Sequence, residues 1–333
     1  MNDKIEINAE FWASLKSQFC DQLMLNILFN DKLNKQADTS DLIYHYTSLE
    51  SAISIIETQS FFCSHINFLN DKKEYKYGVE LLSDIFSRLE NENFETEIIK
   101  IAKENISKIH SSERFTTCFS KEGDLLGQWR AYANNGKGLS IGFDLFKFEK
   151  SIQQKIYGKH VDYDRESQEE TLKELIKQVI KFYNKFKEKV NWKEHSYEWL
   201  VASVIFEYLD GIIAPYKDNC FKDEKEYRFE YVIDGKINKK GKEEWRFRAS
   251  DNLIVPYILL ETKYQHLKKR YKDNPEELKI SESLCLLKRL PIKEIIVGPS
   301  LDYESIKQAL TELLIKHNYV EIPIIKSKIP YRI

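Results

Sequence analysis

The stretch "IYHYTSLESAISIIE", residues 43–57, decides the fold class. Its first part alternates as a strand does. Leu42, Tyr44 and Tyr46 point one way, and Ile43, His45 and Thr47 the other. A helix is expected at once after it, because Thr47 and Glu50 have the spacing of a capping box. Leu49, Ala52, Ile53 and Ile56 then supply the apolar stripe that packs a helix back on a sheet. His45 thus falls near a strand end beside a helix N-terminus, a place that attracts anions and polar ligands. The competing expectation is a histidine that fills a half-buried strand face.

Outward from this unit, residues 9–30 read as an amphipathic helix with Phe11, Trp12, Leu15, Phe19 and Leu23, followed by the polar loop "NDKLNKQADTSD". "FFCSHINFLN" (61–70) reads as strand and turn, and a helical run follows from about Glu74 to His110. Strands are expected at 115–120, 137–144, 157–164, 227–234, 245–249, 253–258 and 294–298, and a last one near 320–326. Residues 166–213 read as two helices, the second apolar nearly all round, and 303–317 as another. Strands cluster between helices without regular alternation, which predicts an α+β fold rather than a doubly wound sheet. The expected organisation is an N-terminal helical segment, 1–41, and one α+β domain, 42–333, with a helical insertion at about 166–213. Neither a GxGxxG after a strand nor a GxxxxGK[ST] loop occurs.

The 333 residues carry 51 Lys+Arg against 53 Asp+Glu, a balance of −2 that predicts no general attraction to nucleic acid or anionic lipid. Five cysteines stand apart, at 20, 63, 118, 220 and 285, with no CxxC pair. This argues against a disulfide framework or a structural zinc site and for a reducing, cytoplasmic setting. The start, "MNDKIEINAE", is polar and lacks the apolar core expected of a signal peptide, and no apolar run approaches the ~20 residues of a membrane span.

Two stretches carry candidate chemistry. Five of the eleven glycines lie in "GDLLGQWRAYANNGKGLSIGFD" (123–144), where "NNGKG" reads as a tight turn after Gln128, Trp129, Arg130 and Tyr132. An exposed Trp and Tyr could stack on a flat ring and an Arg could clamp a phosphate, or the aromatics could be core. In "DEKEYRFEY" (223–231), an extended strand would project Glu224 and Glu226 on one face. Paired carboxylates can divide acid and base work or hold a divalent ion, and on a surface strand they are simply solvated. Asn70, Asp71 and Glu74 in "INFLNDKKE" read as a turn and a helix start.

Together, "YHYTSLESAISII", "NFLNDKKE", "TTCFS", "GQWRAYANNGKGLSIGFD", "EKEYRF", "LIVPYI", "EIIVGP" and "SKIPYR" stand in the order seen in the bacterial domain-of-unknown-function family 2971, which this chain resembles from about residue 42 to 333. More distantly, a strand ending in Tyr-His-x-Thr ahead of a helix is similar to the first motif of ADP-ribosyltransferases. That resemblance implies an ADP-ribosyltransferase-like mixed sheet core. It implies NAD as substrate, held by His45, Tyr46 and Thr47, with Trp129, Arg130 and Tyr132 around the nicotinamide and phosphates. Glu224-Lys225-Glu226 fits the family's Glu-x-Glu, with Glu226 as the catalytic carboxylate, Glu224 positioning the acceptor, and no metal required. The implied protein is a toxin or anti-phage effector acting on an acceptor macromolecule not yet specified, under an inhibitory or activating protein partner and without a membrane. Two alternatives stay open: a metal-dependent nuclease built on Glu224, Glu226, Lys225 and Asp71 or Glu74, and a non-catalytic nucleotide-binding sensor.

Overall fold

The computed structural model describes residues 5–6, 10–19, 42–68, 74–106, 113–154, 156–191, 196–233, 245–250, 253–283, 285 and 287–331. The chain divides into two compact units. One gathers Met1–Ala37, Asp71–Ser111 and Asp162–Asn219, and the other Asp38–Asn70, Ser112–Val161 and Cys220–Ile333.

The first unit is helical. Within 10–19, Leu15 and Phe19 are buried, and Phe19 meets Tyr208 edge-on at 5.0 Å between ring centres. The helical run expected from Glu74 is broken at 92–95, giving helices Glu74–Asn91 and Thr96–Asn105. Helices Arg165–Asn184 and Tyr197–Ile213 follow as expected. The latter buries Val201, Ala202, Val204, Ile205 and Leu209. A helix this apolar needs cover on several sides, and the segment 74–105 joins 165–213 in this unit. The helical part is therefore more than a single insertion at 166–213. Two-residue strands β1 (Ile5–Glu6) and β7 (Val190–Asn191) pair in parallel here.

The second unit holds a ten-stranded mixed sheet. Its strands are β2 (Leu42–Ser48), β3 (Ser60–His65), β4 (Glu113–Ser120), β5 (Gly138–Asp144), β6 (Tyr157–His160), β8 (Glu226–Ile233), β9 (Arg246–Ser250), β10 (Leu253–Glu261), β11 (Ile292–Val297) and β12 (Ile324–Lys326). The order is β12-β11-β5-β2-β4-β3-β10-β9. β4 gives one edge to all of β8 and shares the other between β2 and β3. β6 adds to β8. Only β11 and β12 run parallel within this sheet among the described residues. The α+β expectation therefore holds. Three helices that the sequence pattern did not reveal, Leu145–Ser151, Lys263–Arg270 and Pro275–Ser283, also lie in this unit.

The helix after β2 is Leu49–Thr58. Its cap is Ser48, whose hydroxyl accepts from the Ser51 amide at 3.2 Å, so the cap sits one residue beyond the expected Thr47. The reason is that β2 stays paired with β5 through Ser48 opposite Gly138. The buried stripe is Ala52, Ile55 and Ile56, while Ile53 is exposed.

One face of the sheet is apolar. Ile43, Phe61, Phe119, Ile141, Phe143, Phe148 and Phe229 form its core, each burial contributing about 1.5–3 kcal/mol before entropy. The opposite face carries a smaller apolar cluster of Tyr46, Trp129, Ala133 and Ile296 and, beside it, polar groups. Partners in an antiparallel ladder project to the same side, and Ser120 of β4 is opposite both Tyr44 of β2 and Glu226 of β8.

Candidate functional site

The row Tyr44–Ser120–Glu226 crosses three strands on the polar face, and the segments ending it supply the remaining groups. The Tyr44 hydroxyl donates to Glu294 Oε1 at 2.9 Å. Burial, then this carboxylate, pushes its pKa well up. Glu226, at the start of β8, is held at two points by Arg228: Nε donates to Oε1 at 2.6 Å and Nη2 to Oε2 at 2.9 Å. Residues two apart in a strand share a face, so this pair is local to β8. Both side chains are buried. Further along the same face, Arg114 donates to Glu230 Oε2 at 2.8 Å, with Lys159 at 3.3 Å.

Glu224 is not in the strand. It ends a 3₁₀ turn, Asn219–Glu224, and Lys225 follows with φ 47°, a left-handed kink. The expectation of two carboxylates side by side on an extended strand is corrected by this kink. Its anchors are Ser120, whose hydroxyl donates to the Glu224 carbonyl at 2.8 Å, and Lys121, whose amide donates to the Lys225 carbonyl at 2.8 Å. Lys225 Nζ reaches Glu122 Oε1 at 2.9 Å. The Tyr132 hydroxyl reaches Glu224 Oε1 at 3.5 Å. The two stretches of candidate chemistry thus meet at Tyr132 and Glu224.

The helix Leu126–Tyr132 sorts its residues by face. Trp129 is fully buried against Tyr46, their rings edge-on at 4.9 Å, and its indole N–H donates to Asp124 Oδ1 at 2.6 Å. It is core, and no stacking platform. Arg130 and Tyr132 are exposed. Tyr46 is also structural: its hydroxyl donates to the Glu122 carbonyl at 2.8 Å and accepts from the Leu125 amide at 2.9 Å. Asp124 further accepts from the Ser327 hydroxyl at 2.6 Å and the Lys328 amide at 2.7 Å.

The glycine density has a steric cause. Gly136 has φ 81°, as the "NNGKG" turn requires. At Gly138 a Cβ would lie 2.1 Å from the Thr47 carbonyl, which lets β5 approach β2.

His45 projects to the other face. It pairs with Ile141 of the apolar core. Its ring packs at 5.3 Å from both Phe61 and Phe119, and Nδ1–H donates to the Cys118 carbonyl at 3.1 Å. Burial lowers its pKa. Thr47 shares that side and is buried. The structure therefore brings Tyr132 to Glu224, two residues before Glu226, but places His45 and Thr47 on the other face of the sheet from Glu226. Asn70 and Asp71 lie outside the described residues, and Glu74 opens a helix. Among the described residues, no three His, Cys, Asp or Glu side chains come together to hold a metal ion. No disulfide joins the four described cysteines to one another, and no described helix is long and apolar enough to cross a membrane. Sequence reading missed Tyr44, Glu122, Arg228 and Glu294. Only Arg228 left a signal, two residues from Glu226 in one strand.

Fold and site define an α+β protein with a carboxylate-lined polar face on a mixed sheet. Residues 128–229 match the family model described as "Protein of unknown function (DUF2971)". The matched segment starts at Gln128 and ends just past Arg228, so it includes both Tyr132 and the Glu224–Arg228 run. No curated protein matches the chain significantly, nor does any solved structure.

Proposed function

We propose that the chain is an NAD-consuming transferase of ADP-ribosyltransferase-like kind, working on the polar face where Tyr44, Ser120 and Glu226 line up. The observation that supports it is the meeting of Tyr132 with Glu224 at 3.5 Å, which sets the Glu-x-Glu run beside the aromatic region as the resemblance demands. His45 drops out of the ligand set, and the first strand contributes Tyr44 instead. In this reading the nicotinamide–ribose bond breaks, nicotinamide leaves with the electron pair, and Glu226 stabilises the oxocarbenium-like carbon. An acceptor oxygen or nitrogen then bonds to that carbon and gives its proton to Glu224. Such chemistry suits a toxin or an anti-phage effector.

A second reading is favoured by one specific observation. Arg228 clamps both oxygens of Glu226, which balances the charge a transition state would use and suits a module that binds a nucleotide without turning it over.

Nicotinamide release and NAD binding, measured on the wild type and on Glu226→Gln with melting curves alongside, separate the two. The transferase reading expects release by the wild type, a fall of roughly 10²–10³ in the variant, and NAD affinity little changed. Binding without release selects the module. Neither binding nor release overturns both, and release abolished by a chelator moves the assignment to a metal-dependent enzyme.

A further inference from the structure

We infer that the sheet face bearing Phe62 and Tyr257 is a binding platform for single-stranded nucleic acid. It rests on a different set of residues from the proposed transferase site and does not depend on that reading.

β3 and β10 pair antiparallel with Leu259 opposite Phe62 and Tyr257 opposite Ser64. Phe62 and Tyr257 therefore share a face, their ring centres 4.5 Å apart and tilted by 43°. Phe62 is 48% exposed although it sits mid-strand. β9 brings Arg246 opposite Tyr257 and Arg248 opposite Val255, on that same face. The Arg248 guanidinium lies 6.0 Å from the centre of the Phe62 ring, and its Nη2 donates to the Ser64 hydroxyl at 3.2 Å. Arg246 is exposed.

One step along the face from the Phe62–Leu259 pair, Ser60 is opposite Glu261. Glu261 binds Lys269 and sits 3.3 Å from His266 Nδ1. This carboxylate anchors the helix Lys263–Arg270 beside the aromatic pair. The segment "KYQHLKKRYK" (263–272) carries five Lys or Arg and no acid, and Lys269 is 61% exposed. In a chain of net charge −2, these cations lie next to the exposed Phe62 ring and the half-buried Tyr257 ring.

The chemistry fits one partner. An open sheet face with aromatic rings takes unpaired bases by stacking, guanidinium planes extend the stack, and neighbouring cations follow the phosphates. A duplex keeps its bases stacked on one another and offers the rings nothing.

The test is fluorescence anisotropy of the full chain with labelled single strands of about 20 nucleotides, enough to cover one site, and with the corresponding duplex. Single strands should bind more tightly than duplex. Phe62→Ala and Tyr257→Ala should each weaken binding by about 5–100-fold, the range for losing one stacked base, and Phe62→Leu should do the same while keeping an apolar side chain. Arg246→Gln should reduce the slope of log K against log salt by about 0.7. Phe146→Ala, an exposed ring with Lys150 over it, should change nothing. The inference is overturned by no binding at low salt, by equal affinity for duplex, or by equal loss in Phe146→Ala. It is equally overturned if Phe62→Ala alters only self-association in sedimentation, which would make a second copy the occupant.

Discussion

At the scale of single residues, His45 is a partly buried histidine packed on the apolar core. It fills the space between Phe61 and Phe119 and spends its donor on the Cys118 carbonyl. Truncation to His45→Ala should therefore cost stability, about 2–3 kcal/mol for a partly buried ring, read from urea unfolding, and leave NAD affinity unchanged. A ligand histidine would show the reverse. Its folded pKa lies below 6.5, its ordinary value, because burial disfavours the charged ring. The unfolded chain thus binds more protons below pH 6.5. The stability that depends on neutral His45 is complete above that pH and is lost as pH falls through the folded value. In His45→Leu the decline below pH 6.5 should be shallower. The alternation of "IYHYTS" made the two-sidedness of this strand legible. It did not say which side was core, because tyrosine and histidine suit either.

At the scale of elements, the approach of β5 to β2 depends on Gly138. A methyl there would lie 2.1 Å from the Thr47 carbonyl, which is backbone and cannot swing away. Gly138→Ala should destabilise by about 3 kcal/mol or more, beyond the usual cost of overpacking at a side chain, with thermal melting as the measure. In the helical unit, Arg88 of Glu74–Asn91 donates to Glu169 of Arg165–Asn184 at 2.7 Å. Arg165 adds a second bond at 3.1 Å. These cations hold the Glu169 carboxyl down to about 2. Its contribution to stability is present above the unfolded value, 4.5, and lost as pH falls toward 2. Glu169→Gln should flatten the acid limb between those values in a pH series of melts, modestly, since the bridge is partly in water. Helices with an apolar stripe were legible in the sequence. Lys263–Arg270 was not, because it buries no residue, and periodicity registers only what is buried.

At the scale of the whole molecule, the strands were mostly readable one by one and their partners were not. β3 lies beside β10, and β4 beside β8, through ladders that join distant parts of the chain, and local pattern holds no record of such pairing. The site suffered most from this. Glu226 and Tyr132 could be suspected from their own neighbourhoods, but Tyr44, Glu122 and Glu294 become neighbours only through the sheet. Non-local ladders of this kind also make folding slow, since each closes a long loop before it gains contacts.

The bonds on Asp124 set a schedule during synthesis. The loop that presents Glu122 and carries Trp129 into place is tied by Ser327 and by Lys328, 203 and 204 positions later. At about 5–20 residues per second, a ribosome needs about 10–40 s to make that interval. Throughout that time the nascent chain holds the carboxylate with Trp129 made but Ser327 and Lys328 still to come. A loop fastened by a strap this late cannot take its final place on the ribosome before residue 328 has emerged.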